Sequence, residues 1–185
     1  ANADESEPGT FKDREIMEHN PYQFLEGLMI ACFAVQANLG YVYLRGEFWQ
    51  VAGHLEECLD ELRKAGYLGK NIFNTGYALD LHTHLGAGAY ICGEETALLE
   101  SLEGRLGQPR LRPPYPAVFG LFGKPTVINN VETLTNIPLI IERGSAWYQT
   151  IGTPKSTGVK IFSLAGNVKK PGNYELPLGT TFREL

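Results

Sequence analysis

Hydrophobic and polar positions recur along this chain with two different periods. From Pro21, apolar residues at Phe24, Leu25, Leu28, Ala31, Cys32 and Val35 follow the spacing of one helix face, which predicts a helix stopped by Gly40. Tyr41 to Leu44 is an aromatic and β-branched run, a predicted strand. Phe48 to Ala65 carries the clearest stripe. Val51, Leu55, Cys58, Leu59 and Leu62 share one side, charged residues from Glu56 to Lys64 the other, and Gly66 ends the helix. Ala78 to Leu85 changes to a period of two through Leu79, Leu81, Thr83 and Leu85, and predicts a second strand. Gly86 and Gly88 break it, Gly93 to Leu102 reads as a short helix, and Asn130 to Glu142 reads as a helix kinked or broken at Pro138. Beyond Val159 the pattern becomes that of a β-hairpin: Val159 to Leu164, a Pro171-Gly172 turn, then Tyr174 to Leu176. Asn2 to Asp13 reads as a polar loop with a Pro8-Gly9 turn signal, and Gln108 to Pro125 as a second loop rich in proline and glycine.

Strands thus alternate with helices to about Gly144, which predicts an α/β sheet packed by helices, and the residues after it read as the opening of a separate β-rich domain. Composition agrees, with 43% hydrophobic and 20% charged residues in a chain of 185. No apolar stretch reaches the ~18–20 residues of a membrane span, so direct membrane insertion is not expected. A net charge of −5 argues against nucleic acid as a partner. Cys32, Cys58 and Cys92 lack C-x-x-C spacing and are read as unable to hold zinc or a cluster. His82 and His84 share a strand face, but no third ligand stands near, so no metal site is predicted. Ala1 to Arg14 is acidic and polar, unlike a secretory leader, and without a starting Met the chain is expected to be a piece of a longer polypeptide.

Four segments could carry chemistry, and each also has a plain structural reading. The loop Asn2-Ala-Asp-Glu-Ser-Glu-Pro-Gly offers carboxylates and an amide that could hold a polar ring or ribose hydroxyls, or could be a solvated surface loop. Gly86-Ala-Gly-Ala-Tyr-Ile-Cys-Gly-Glu-Glu brings glycines to a helix start, where backbone can approach a ligand closely. It is not the G-x-G-x-x-G dinucleotide fingerprint, and Glu94 and Glu95 could simply complement the helix dipole. Arg112-Pro-Pro-Tyr-Pro could fix Tyr115 beneath a purine, or be a packed surface loop. Asn129-Asn-Val-Glu-Thr could present amides to a ligand, or only cap the next helix.

In this order and at these spacings, the segments resemble the flavoprotein subunit of respiratory complex I, the F family among the subunits of bacterial NADH-quinone oxidoreductases. The resemblance rests on Asn2 to Arg14, Leu68-Gly-Lys-Asn, Gly86 to Gly104, Arg110 to Pro116, Gly123 to Leu134, and the tail from Gly166 to Thr181. It implies a Rossmann-like parallel sheet with flanking helices over residues 1–155, and the start of a β-grasp (ubiquitin-like) domain over 156–185. It implies FMN and NADH as cofactors. Asn2, Asp4 and Glu5 would lie against the flavin, with Tyr90, Gly93 and Glu94 on the opposite wall. Asn129, Asn130 and Thr133 would hold the ribityl-phosphate end. Glu7 and Glu95 would face NADH, and Arg112 and Tyr115 its adenosine end, where the family often has Lys and Phe.

The implied reaction is hydride transfer from NADH to FMN, then single electrons to iron–sulfur clusters and quinone. No protein nucleophile is required, because the flavin carries the chemistry. The family places a glycine-rich phosphate loop before Ala1 and the cysteines of an iron–sulfur cluster beyond Leu185. Expected partners are the small thioredoxin-like 2Fe–2S subunit and the large iron–sulfur subunit of the hydrophilic arm, on the cytoplasmic side of the bacterial inner membrane. Two other readings stay open: the diaphorase subunit of an NAD-reducing hydrogenase or NAD-linked formate dehydrogenase, and a non-catalytic ligand-binding module.

Overall fold

The structure, a computed structural model, describes residues 1–185. Its centre is a three-stranded parallel sheet of β1 (Asn2–Ala3), β2 (Leu39–Leu44) and β3 (Asp80–Leu85), in that order. Asn2 lies opposite Tyr43, and Leu39 through Leu44 pair in step with Asp80 through Leu85. Helices α1 (Lys12–His19) and α2 (Pro21–Ala34) connect the first two strands, and α3 (Trp49–Lys64) connects the second pair. A parallel pair needs such crossovers.

The alternation of side chains along β2 sends residues to two layers. Val42 and Leu44 join Leu81, Phe24, Leu25, Leu55 and Leu59 in the main core, between the sheet and α2 and α3. Tyr43 belongs instead to a smaller cluster with Cys92, Leu98 and Leu99, the last two from α4 (Glu95–Leu102). Each fully buried aliphatic side chain contributes about 1.5–3 kcal/mol of transfer free energy, so the larger layer dominates stability. All three cysteines are buried and free.

Several expectations are corrected. The second helix ends at Ala34, capped by Val35, and Gln36 then takes a left-handed φ of 58°; Gly40 lies within β2 instead of stopping the helix. A Cβ on Gly40 would come 2.5 Å from Leu81 Cδ2, so that glycine serves strand packing. Asn2 to Asp13 is not all loop. It opens with β1 and closes in α1, whose only buried residues are Asp13 and Met17, too few for a hydrophobic period. The Asn130 to Glu142 stretch splits at Asn136 into α5 (Val131–Thr135) and α6 (Ile137–Arg143), and Pro138 stands in the opening turn of α6, where a missing N–H costs nothing.

A further short helix, α7 (Ser145–Gln149), and a small hairpin of β4 (Gly152–Thr153) and β5 (Ser156–Thr157) lead into the final pair. There β6 (Val159–Leu164) and β7 (Gly172–Pro177) run antiparallel, with Val159 opposite Pro177 and Leu164 opposite Gly172. The chain after β1, β2 and β3 therefore leaves the sheet on one side: Asp4, Arg45 and Gly86 all follow carboxyl ends of parallel strands. In open α/β sheets that is where ligands bind.

Candidate functional site

A cavity of about 410 Å³ opens at these strand ends. Asp4, Glu5, Ser6 and Glu7 form one wall, Tyr90, Ile91, Gly93 and Glu94 another, and Thr10, Lys12, Asp13 and Asn130 the third. A larger apolar groove of about 570 Å³ lies elsewhere, against Tyr22, Phe33 and Phe73; only Glu26 and Thr75 are polar there. It lacks the converging polar groups of a cofactor site.

The cavity walls are braced by side chains of the predicted set. Asn2 donates from Nδ2 to the Gly93 carbonyl at 2.9 Å and accepts the Asp4 N–H at 3.1 Å, tying the first wall to the second. Its own N–H donates to the Asn129 carbonyl at 2.7 Å. Asn130 is wholly engaged by protein. Its Oδ1 accepts from Lys12 Nζ at 3.0 Å and from the Glu132 N–H at 3.0 Å, while Nδ2 donates to Asp13 Oδ2 at 2.7 Å. Asn130 also caps α5, as its sequence suggested.

Glu5 is buried, and its two carboxylate oxygens accept the N–H groups of Asp13 (2.9 Å) and Arg14 (3.1 Å). It therefore caps α1 from a distance of eight residues, using donors that a helix start leaves unpaired. Burial pushes its carboxyl up, helped by the charge of Asp13 and opposed by those two N–H groups. Glu94 does the same for α4 within its own turn: Oε2 accepts from the N–H of Thr96 at 2.9 Å and of Ala97 at 3.0 Å. Burial works against its charge, but the Thr96 hydroxyl, those N–H groups and Arg112 outweigh it and hold the carboxyl below the usual range.

Asp4 differs from both. It accepts no backbone N–H, and its protein partner is the Ser6 hydroxyl. Burial, with a smaller push from Glu47, moves its carboxyl up against the Ser6 bond and Arg45. Asp4 therefore keeps one carboxylate oxygen free of protein partners and available to a ligand. Glu7, exposed, accepts the Tyr90 hydroxyl and so bridges two walls at the cavity rim.

The remaining predicted residues stand outside the lining. Thr133 is exposed on α5, and Asn129 is half-buried beside β1. Arg112 pairs with Glu95 and lies 3.5 Å from Glu94 Oε1, while Tyr115 is exposed on the same proline-rich loop. Arg110 anchors that loop: its N–H donates to Thr96 Oγ1 at 2.8 Å and its guanidinium binds Glu103 at 2.8 Å and the Gly120 carbonyl at 3.1 Å. Sequence reasoning missed Arg110, Lys12 and Glu132. The alternating charges Lys12-Asp13-Arg14 behind the Pro8-Gly9 turn were the only signal for the second.

The donor set suits a flavin ring and its ribityl chain. A ring imide and several hydroxyls are donors, and the cavity presents carboxylate acceptors at Asp4, Glu7 and Glu94. A free phosphate is disfavoured among them, since the one lysine in the wall is already paired with Asp13 and Glu132.

A parallel sheet with helical crossovers and a polar cavity outside its strand ends defines an α/β cofactor-binding domain. Comparison with known proteins makes this specific. Residues 1–139 match the family described as Nuo51 FMN-binding domain, and the chain belongs to that family. Residues 161–185 match the SLBB domain. The chain is 56% identical over 184 residues to the NADH-quinone oxidoreductase subunit called F 2 in Rhizobium meliloti (strain 1021). It is 55% identical over 186 residues to the corresponding NADH-quinone oxidoreductase subunit, called F, in Aquifex aeolicus (strain VF5). Those alignments take in 100% of this chain but 44% and 43% of the relatives, so the chain spans less than half their length. Among solved structures, it is similar to an NAD+-reducing NiFe-hydrogenase in the H2-reduced state, with a TM-score of 0.90 and 44% identity over 97% of this chain and 30% of that one. No helix is long and apolar enough to cross a membrane.

Proposed function

We propose that this chain is the FMN- and NADH-binding part of an NADH-quinone oxidoreductase flavoprotein subunit. The observation that carries the reading is the acceptor-rich cavity at the carboxyl ends of the parallel strands, walled by the two acidic segments that match the family. When bound, FMN supplies hydride acceptance from NADH and single-electron delivery to iron–sulfur clusters and quinone. The protein's part is to hold and orient. Asp4 accepts from the flavin or its ribityl chain, and the exposed face of Tyr90 and the backbone of Gly93 line its flank. Asn2, Asn130 and Glu5 act chiefly by fixing the walls, since their polar atoms are engaged in the protein, whereas Glu94 caps α4 through Oε2 and leaves Oε1 beside Arg112 at 3.5 Å. Asn129 and Thr133 serve the ribityl-phosphate end.

NADH approaches past Glu7, Glu95, Arg112 and Tyr115. Stacking on Tyr115 holds the adenine, and the carboxylates discourage a 2′-phosphate, which favours NADH over NADPH. We place the boundary between the flavin domain and the β-rich unit near residue 155. Partners in this reading are the thioredoxin-like 2Fe–2S subunit and the large iron–sulfur subunit of the hydrophilic arm, at the cytoplasmic face of the inner membrane. The likeness to the hydrogenase keeps a diaphorase assembly as the second reading.

The test uses the full-length polypeptide. Purified protein should carry FMN, visible in its absorbance and bleached by NADH. Protein that folds but neither retains added FMN nor bleaches would overturn the proposal; bleaching together with quinone reduction by the native assembly separates complex I from a diaphorase.

A further inference from the structure

Lys12 stands in the cavity wall, and the flavin reading gives it no task. Its ammonium is held by Asp13 Oδ1 at 2.7 Å, Asn130 Oδ1 at 3.0 Å and Glu132 Oε2 at 3.0 Å. The Lys12 side chain is 13% exposed and that of Glu132 only 4%. Buried charges of this kind hold their places while every member keeps its partner, and move or neutralise when one is lost.

Two of the partners that complete this set come from the C-terminal hairpin. Glu132 Oε2 also accepts from Lys160 Nζ at 2.6 Å, and Oε1 accepts the Ile161 N–H at 2.8 Å. The hairpin takes a second grip one residue before Lys12. The Phe11 N–H donates to Ser163 Oγ at 3.3 Å, and Asn173 Nδ2 donates to the Phe11 carbonyl at 3.2 Å. Ser163 and Asn173 are joined to each other at 2.7 Å across the ladder. Lys12 is thus held from two directions by one hairpin: through the peptide of Phe11 and through the carboxylate of Glu132.

We propose that the β6–β7 hairpin is a structural part of the cofactor cavity, with Lys160, Ser163 and Asn173 as positioning residues that act through Glu132 and Phe11 on Lys12 and Asn130. The alternative is an appended module that merely adjoins the cavity. The charges distinguish the two. Glu132 and Asp13 balance Lys12 and Lys160. Without Lys160 the set carries one unbalanced negative charge, and Lys12 is drawn to Glu132 at the expense of Asn130. Asn130 binds Asp13, whose N–H is held by Glu5, so the disturbance reaches the first wall. The identity of the ligand rests on the flavin reading; the coupling itself does not.

The experiment compares Lys160→Met, Lys160→Arg and Ser163→Ala in the full-length polypeptide. Two quantities are read: FMN release on dilution, from recovered flavin fluorescence, and hydrogen exchange at the amides of Asp13 and Arg14. Lys160 is nearly half exposed, so its loss should speed FMN release about threefold, with Asp13 and Arg14 exchanging faster. Lys160→Arg should restore both. Ser163→Ala removes a single hydroxyl and covers the case in which Lys160→Met fails to fold. Wild-type release and wild-type exchange in the folded variants would overturn the coupling. Protein that never retains FMN would overturn the flavin reading instead, and amide exchange would still decide the coupling.

Discussion

The carbonyl oxygen of Leu134 in α5 occupies the space where a side chain on Gly27 of α2 would begin: a Cβ there would lie 1.9 Å from it. The two helices touch backbone to backbone, and this contact sets the depth at which α5 lies behind Asn130 in the cavity wall.

Gly27→Ala should therefore push α5 outward. A single methyl forced into a packed helix contact costs about 1–3 kcal/mol, more where backbone must move. Urea denaturation should show a lowered midpoint with an unchanged slope, and FMN retention should fall with it. A variant as stable as the wild type would mean that α2 and α5 do not meet in this way.

Asp4 and Glu94 should separate in mutagenesis although both line the cavity. Asp4→Asn leaves every backbone hydrogen bond in place, so it should weaken FMN retention with little change in stability. Glu94→Ala also strips the cap from α4, which costs roughly 1 kcal/mol. It should lower both retention and melting temperature. Calorimetry on the two apoproteins, beside flavin content, checks the split.

The buried and half-buried carboxylates give opposite pH trends. Glu132 and Glu103 sit below the ordinary range: burial disfavours their charge, but Lys160, Lys12 and the Ile161 N–H overcome it for Glu132, as Arg110 and the Phe122 N–H do for Glu103. Their contribution is present above the unfolded value of about 4.3 and is lost as pH falls through their lower folded values. Asp4 and Glu5 are shifted up by burial, so their charged forms cost stability above the folded value, and protonation relieves that cost as pH falls. Glu132→Gln should be less stable at neutral pH and show a flatter acid limb in unfolding curves. A parallel acid limb would refute the assignment to Glu132.

Cofactor choice should respond to Glu95, but through Arg112 as well. The two residues are paired in the structure. Glu95→Gln removes a charge that would face a 2′-phosphate and at the same time frees the guanidinium that would attract one. The NADPH/NADH ratio of kcat/KM should rise about tenfold, with Arg112→Gln returning part of the change. Steady-state kinetics of the full-length protein at matched ionic strength measure both. An unchanged ratio in Glu95→Gln and in the Glu7→Gln/Glu95→Gln double variant would remove the carboxylates from cofactor selection.

Residues that organise themselves locally were readable from the sequence. The stripe from Val51 to Leu59 specifies α3 because five residues of one face are buried, and the Val159 to Leu164 run finds its partner in the next strand, although the connection is residues 165–171 and Gly172, read as part of the turn, already pairs with Leu164. Helix α1 was not readable, since its cap is Glu5 and its packing comes from Asp13 and Met17. The acidic walls at Asp4 and Glu94 were found through long matching runs, whereas residues alone left them as a surface loop and a helix cap. The capping of α5 by Asn130 was readable, but its bonds to Lys12 and Asp13 and the bracing by Glu5 were not. Their partners lie across the fold, and no local spacing encodes a contact between Lys12 and Glu132.

The bridge between Asn2 and Asn130 has a consequence for biosynthesis. The outer neighbour of β1 is reached only 128 residues further along the chain. Contacts of such long separation close slowly and leave a strand edge open in the meantime. Until Asn130 has been made, β1 lacks that neighbour, and the cavity lacks the wall that Asn130 supplies. The acidic segments at Asp4 and Glu94 are thus made before the wall that closes the cavity between them.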